Sequence, residues 1–200
     1  MDLVFPTWVL LECFAQFARE RPDVRIDLEE TVLAGTEEAV QQGRVDVAIG
    51  PLVPEGIVGD VLMVERFVCV AAPSHPLHSL GRELTLEDLA EHRHLVVRDS
   101  SPGRSRSGGW LNERRWTVSN KATSIHATGL GLGFAWYPVD NIAEELKSGK
   151  LVPLALREGA ERRVTLYLMF ADRDAAGPGA KLLAQIIQRR VQETCEEKGR

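Results

Sequence analysis

The sequence has 200 residues, 44% of them hydrophobic and 26% charged, enough for one large domain or two small lobes with a sizeable buried core. Its formal net charge of -5 excludes a bare nucleic-acid binder, because neutralising phosphates takes clustered Lys and Arg, and no basic run is longer than a pair such as Arg114 and Arg115, preceded by Glu113. Three widely spaced cysteines, Cys13, Cys69 and Cys195, allow neither a disulfide framework nor a CxxC motif, and no apolar run approaches the roughly 20 residues of a membrane span. The opening residues lack a basic segment followed by an apolar one, so a cytoplasmic location without export is expected.

In chain order, Leu3-Val4-Phe5 reads as a short strand ended by Pro6, and Leu10, Cys13, Phe14 and Phe17 then fall on one face of a helix stopped by Pro22. Val24, Ile26 and Leu28 alternate with Arg25, Asp27 and Glu29, the two-residue period of a half-buried strand. Thr36 reads as the N-cap of a helix with Glu37 and Glu38 in its first turn and Gly43 as its stop. Val45 to Gly50 follows as a strand, and Val61 to Val64 and Phe67 to Ala72 as two more apolar segments. This alternation predicts a mainly parallel sheet with helices on both faces.

A second unit begins after Pro73. Thr85-Leu86-Glu87-Asp88 has capping-box spacing and predicts a helix start, and His94 to Arg98 predicts a strand. A loop rich in Ser, Gly and Arg, from Asp99 to Gly109, precedes a strand at Trp116 to Val118, a helix from Asn120 to about Thr128, and a strand from Gly133 to Trp136. Pro138 opens a helix ending near Gly149. Leu151 to Leu154 and Val164 to Phe170 are the last strands. Leu183, Ile186, Ile187 and Val191 form the apolar stripe of a terminal helix.

No catalytic set emerges. Gly103-Arg104-Ser105-Arg106-Ser107 lacks the second Gly of a nucleophile elbow. His92 and His94, like His75 and His78, are too dispersed to be a metal set on one element, so no metal and no cofactor are expected. Gly129, Gly131 and Gly133 stand between helix and strand, the reverse of the dinucleotide-binding order, and predict a tight turn.

Four stretches carry a family resemblance. Phe17 to Val24 has an F-x-x-x-x-P-x-V passage, Gly43 to Gly50 a G-x-x-D-x-A-I-G strand, Ala71 to Leu77 an A-x-x-x-H-P-L crossover, and Gly131 to Pro138 a G-L-G-I-x-x-x-P-like turn and strand. Together and in this order they resemble the effector-binding domain of LysR-type transcriptional regulators over essentially the whole chain. The resemblance implies an α/β, type 2 periplasmic-binding-protein-like fold, with two Rossmann-like lobes joined by two crossover strands. Residues 1–72 plus 166–200 would form lobe I and 73–165 lobe II, with crossovers near Ala71 to Pro73 and Leu166 to Phe170. It also implies a non-enzymatic sensor that binds a small-molecule effector in the interlobe cleft and modulates transcription by the full-length protein. DNA would be touched only through an N-terminal winged helix-turn-helix that this chain does not include. A homodimer or homotetramer is expected, with the helix from Trp8 to Glu20 against the second lobe of a partner, and no membrane. A secreted solute-binding protein shares the fold and is the alternative reading.

Ligands of open α/β sheets settle beyond the carboxyl ends of the strands, where helix N-termini offer unpaired N–H groups. Thr7, Thr36, Ser100, Ser101 and Asn120 follow such strands in this reading. The resemblance places Thr7, Thr36 and the segment from Val118 to Asn120 where the family holds its effectors. Chemistry adds Arg98, which pairs bidentately with a carboxylate, and Trp8 as an aromatic wall. A small organic anion is therefore the expected effector class.

Overall fold

The structure is a computed structural model that describes residues 1–101 and 114–198. The Ser/Gly/Arg loop therefore lies, beyond Ser101, outside the described residues. The chain forms two compact units: the first takes Met1–Val64, Ser100 and Ser101, and the chain from Thr165 onward, and the second takes Glu65–Asp99 and the chain up to Val164.

In the first unit, α1 (Thr7–Glu20) starts after Pro6 and stops at Arg21, because a residue ahead of proline is driven out of the helical region. Its buried face is Val9, Leu10, Cys13 and Phe17, matching the predicted spacing. It packs on α6 (Pro178–Lys198), whose Ile186, Ile187 and Val191 are buried, and Arg190 of α6 reaches Glu12 of α1 at 2.8 Å. Between them in sequence come α2 (Ala34–Gln41), β1 (Val47–Gly50) and the first part of β2 (Gly59–Ala71). β1 pairs antiparallel with the end of β7 (Glu161–Phe170), from Val47 opposite Phe170 to Gly50 opposite Tyr167.

Two predicted strands of this unit are not found as strands. Leu3-Val4-Phe5 is a turn, with Phe5 N–H donating to the Asp2 carbonyl at 3.1 Å, and only Asp2 makes a parallel bridge, to Thr31. The stretch 24–30 alternates in sequence but enters no ladder, and Ile26 and Leu28 stay 38% and 39% exposed.

The second unit holds the rest of β2, α3 (Leu86–Ala90), β3 (His94–Val97), β4 (Arg115–Val118), α4 (Lys121–Gly129), β5 (Phe134–Pro138), α5 (Ala143–Lys147) and β6 (Val152–Pro153). Its strand order is β7-β2-β5-β3-β4, with the start of β7 in this unit and β6 pairing β2 off that path. β3 runs parallel to both β4 and β5, whereas β2 is antiparallel to β5 and β6, so the sheet is mixed where the alternation of elements predicted it mainly parallel. The two apolar segments around Glu65 are one strand that runs from the first unit into the second. Alternate residues of that strand feed two cores: Cys69 and Ala71 join Leu77, Leu89 and Phe134 on one face, and Val68 and Val70 join Leu95, Ile125 and Tyr137 on the other. A strand covered on both faces reads as an unbroken apolar run, which is how Phe67 to Ala72 appears in the sequence.

The local signals of this unit are realised. Thr85 and Asp88 form the reciprocal capping box of α3. Pro138 precedes a short 3₁₀ turn and α5, and Gly149 follows with φ +70°. In the α4-to-β5 turn, Gly131 takes φ +78°, and a Cβ on Gly133 would stand 2.3 Å from the Arg93 carbonyl oxygen.

Candidate functional site

In the first unit the polar groups gather at the start of α2. Asp2 is buried, yet its carboxylate accepts hydrogen bonds from the Val4 and Leu33 N–H groups at 2.9 and 2.7 Å. Burial pushes its carboxyl pKa up, and those two N–H groups work against the rise. Thr36 Oγ1 lies 2.7 Å from Thr31 Oγ1 and 3.4 Å from the Asp2 carboxylate.

Thr36 is thus the third residue of α2 rather than its N-cap. The cap position belongs to Leu33, at φ 51°, and has no side-chain cap. The N–H groups that a cap side chain would take, those of Gly35 and Thr36, donate instead to the Val32 and Leu33 carbonyls at 3.1 and 3.0 Å, while Asp2, distant in sequence, fixes Leu33 by accepting its N–H.

Ser100 and Ser101 fold against the same helix. Ser100 Oγ accepts from Val32 N–H at 2.9 Å and presses on Gly35, where a Cβ would fall 1.8 Å from that oxygen. The Ser101 hydroxyl donates to the Glu38 carboxylate. Thr36, Ser100 and Ser101 are therefore brought together, with hydroxyls already engaged within the protein.

Thr7 and Trp8 form the first turn of α1, Thr7 half-buried and Trp8 42% exposed. No side chain caps this 14-residue helix at Pro6 and no acidic residue sits in its first turn. Its leading N–H groups and the positive end of its dipole therefore face no compensating protein anion in that turn.

In the second unit Arg98, Val118 and Asn120 meet at the ends of the paired β3 and β4. The exposed Arg98 donates its backbone N–H to the Val118 carbonyl at 2.8 Å, and Asn120 Oδ1 caps α4 by accepting from Thr123 N–H at 3.1 Å. Nearby in sequence, the half-exposed Trp116 carries the Arg93 guanidinium 3.8 Å above its ring.

Sequence reasoning missed Asp2 and Thr31, because neither carries a motif and their roles arise from contacts across the fold. It also missed Tyr137, whose hydroxyl lies 2.7 Å from Ser124 Oγ and 2.8 Å from Thr128 Oγ1 and pins α4 to β5. The spacing of Ser124 and Thr128, one turn apart, was the available signal. Among the described residues no group of three or more His, Cys, Asp or Glu could hold a metal ion, and no helix is long and apolar enough to cross a membrane.

Residues 3–192 match the family described as LysR substrate binding domain. This chain belongs to that family. Among relatives of this LysR substrate-binding domain, the probable HTH-type transcriptional regulator YhaJ of Escherichia coli K12 is 30% identical over 126 residues, covering 60% of this chain and 42% of YhaJ. The HTH-type transcriptional regulator GalR of Pseudomonas putida is 28% identical over 171 residues, covering 79% of this chain and 42% of GalR. The LysR domain thus matches less than half the length of either regulator.

Solved structures agree on the fold. The regulatory domain of MetR, a LysR family regulator from Neisseria meningitidis, superposes with a TM-score of 0.71 at 20% identity, covering 96% of this chain and 92% of that one. The effector binding domain of QuiR in complex with shikimate gives 0.71 at 15% identity, covering 96% and 94%. The LysR domain therefore has the α/β, type 2 periplasmic-binding-protein-like fold of these effector-binding domains.

Proposed function

We propose that this LysR substrate-binding domain is the ligand-sensing part of a cytoplasmic transcriptional regulator, not an enzyme, and that it takes a small organic anion in the interlobe cleft the family resemblance implies. The observation that carries the reading is the open N-terminus of α1: a 14-residue helix with neither a side-chain cap nor an acidic first turn, beginning at Thr7 and Trp8. Such a terminus favours negative charge. Arg98, exposed beside the Asn120 cap, supplies a second positive group suited to a carboxylate. The matched QuiR domain is in complex with shikimate, a carboxylate, which supports an organic anion as the class to test first.

In this proposal Val118 and Asn120 would offer backbone and amide groups to the ligand from the second unit, whereas Thr36, Ser100 and Ser101 would act by holding the start of α2 in place. An anion contacting both lobes would favour the closed arrangement in proportion to its differential affinity, which is how it would bias DNA binding by the full-length protein. A thermal-shift screen of small carboxylates, shikimate first, is expected to raise the melting temperature with at least one ligand. Calorimetry with that ligand should then show weakened binding in Arg98→Ala and Thr7→Ala. Unchanged affinity in both variants would place the ligand elsewhere.

A further inference from the structure

Helix α4 buries little apolar surface. Its nine residues place Ser124, Ile125 and Thr128 in the interior, and two of those three are hydroxyls, both 0% exposed. Ile125 joins the apolar cluster of Val70, Leu95 and Ala135, but apolar contacts are non-directional and do not by themselves set the axial position of a helix. Directional bonds to Tyr137 of β5, itself 3% exposed, do so instead.

The direction of each of those bonds follows from the proton count, because a hydroxyl donates once and can also accept. Thr128 Oγ1 donates to the Ser124 carbonyl at 2.9 Å, so its proton is used and Tyr137 must be the donor in their 2.8 Å contact. The Tyr137 proton is then used as well, and Ser124 must be the donor in the 2.7 Å contact between Ser124 Oγ and the phenol oxygen. Burial pushes the Tyr137 pKa up from its ordinary value, so the phenol keeps the proton that this order requires. The bonds close a ring from the Ser124 hydroxyl to Tyr137, from Tyr137 to Thr128, and from Thr128 back to the Ser124 carbonyl.

A serine inside a helix otherwise donates to the carbonyl four residues before it, which bends that turn. For Ser124 this carbonyl is that of Asn120, which already accepts the Ser124 N–H at 3.2 Å, and Asn120 Oδ1 caps the helix by accepting from Thr123 N–H at 3.1 Å. We infer that Tyr137 is a positioning residue for the Asn120 end of α4: by accepting the Ser124 proton it keeps that hydroxyl off the Asn120 carbonyl and holds the cap in place. Its effect on ligand affinity rests on Asn120 belonging to the effector site as proposed above, whereas its effect on the cap does not. The two ends of the bond are unequal. Removing the tyrosine hydroxyl strands the Ser124 proton in a buried place and turns it toward Asn120. Removing the serine hydroxyl strands nothing, because Tyr137 still donates to Thr128 and Thr128 to the carbonyl of residue 124.

Amide hydrogen exchange of the 200-residue chain, followed by NMR, reads the cap without any ligand. Tyr137→Phe should speed exchange at Thr123 and Ser124 roughly tenfold relative to the last turn of α4. Ser124→Ala alone should leave Thr123 unchanged, and added to Tyr137→Phe it should return Thr123 to its original rate. Thr128→Val serves where Tyr137→Phe fails to fold: it leaves the Tyr137 proton only Ser124 Oγ as acceptor, displaces the serine proton and should loosen the same two amides. Exchange raised evenly along α4, or loosening that Ser124→Ala does not reverse, is what a merely structural hydroxyl gives and would overturn the inference. Calorimetry with shikimate on the same proteins reads the site, where affinity should fall roughly three- to tenfold in Tyr137→Phe and recover in the double variant. Exchange altered as stated, with shikimate bound equally by all or by none, would count against the effector reading and leave the role of Tyr137 at the cap standing.

Discussion

The hydroxyl of Thr36, 1% exposed and shared between Thr31 and Asp2, shows how a residue picked for one role serves another. Removing one member of a buried hydrogen-bonded set leaves the others short of a partner, at a cost of about 1–3 kcal/mol. Thr36→Val, which keeps the volume, is expected to lower the urea midpoint accordingly, and Thr36→Ser to restore most of it. His94 sets a pH dependence. It is buried, stacked 5.2 Å from Phe134 and edge-on to Trp136, and burial, with Arg162 and Arg115 contributing, lowers its pKa to about 4. In the unfolded chain the imidazole titrates near 6.5. The unfolded state therefore binds more protons in between, and stability is complete above about 6.5 and declines as the pH falls toward 4. His75, lowered to about 4 by burial and by His92 and His78, acts in the same direction. Urea midpoints measured across this window should fall on acidification, and His94→Leu should flatten that fall without abolishing it.

At the scale of the element, α2 is held at its start by groups from outside the helix. Gly35 admits Ser100, and Ser100 takes the Val32 N–H. Gly35→Ala must displace Ser100, so although alanine favours a helix interior by roughly 0.5–1 kcal/mol, the substitution is expected to destabilise here. A double-mutant cycle with Ser100→Gly, which removes the obstructing oxygen and Cβ, should show positive coupling between the two sites. Helix α3 is the contrast, since everything it needs is local. Thr85 caps it, Asp88 answers from the third position, and Arg82 grips the Asp88 carboxylate with two bonds of 2.7 Å, holding that carboxyl well below its ordinary pKa. Thr85→Ala is expected to cost about 1 kcal/mol, whatever the rest of the fold does.

For the whole molecule, the acidic balance and the absence of a dense basic run among these residues predict that the chain alone gives no sequence-specific duplex shift at physiological salt. A sub-micromolar specific complex in a mobility-shift assay would contradict this. Self-association is expected through α1, where Trp8 and Leu11 are 42% and 55% exposed and Ala15 and Ala18 continue the same stripe on the solvent side. Sedimentation at tens of micromolar should show a dimer that Leu11→Arg converts to monomer.

The sequence by itself determined what depends on a few neighbouring residues. The buried face of α1, the Thr85 capping box, the Asn120 cap, the Gly149 stop and the apolar stripe of α6 all follow from short spacings, because a helix and its caps satisfy their own backbone within a turn or two. The family motifs were legible for the same reason, as ordered local patterns between Phe17 and Pro138, within the 3–192 span that matches the family. Only the tertiary structure decided the rest. A strand cannot close its hydrogen bonds alone, so the alternation of 24–28 could not say whether a partner stood beside it, and Glu65 within β2 could not announce one strand in place of two. The site divides along the same line. Asn120 declared its cap by position, whereas Thr36 lies inside α2 with its hydroxyl on Thr31 and Asp2, and Ser100 and Ser101 joined the first unit rather than the strand that precedes them, because the bonds to Asp2, Ser100 and Ser101 join residues dozens of positions apart and no local pattern encodes them.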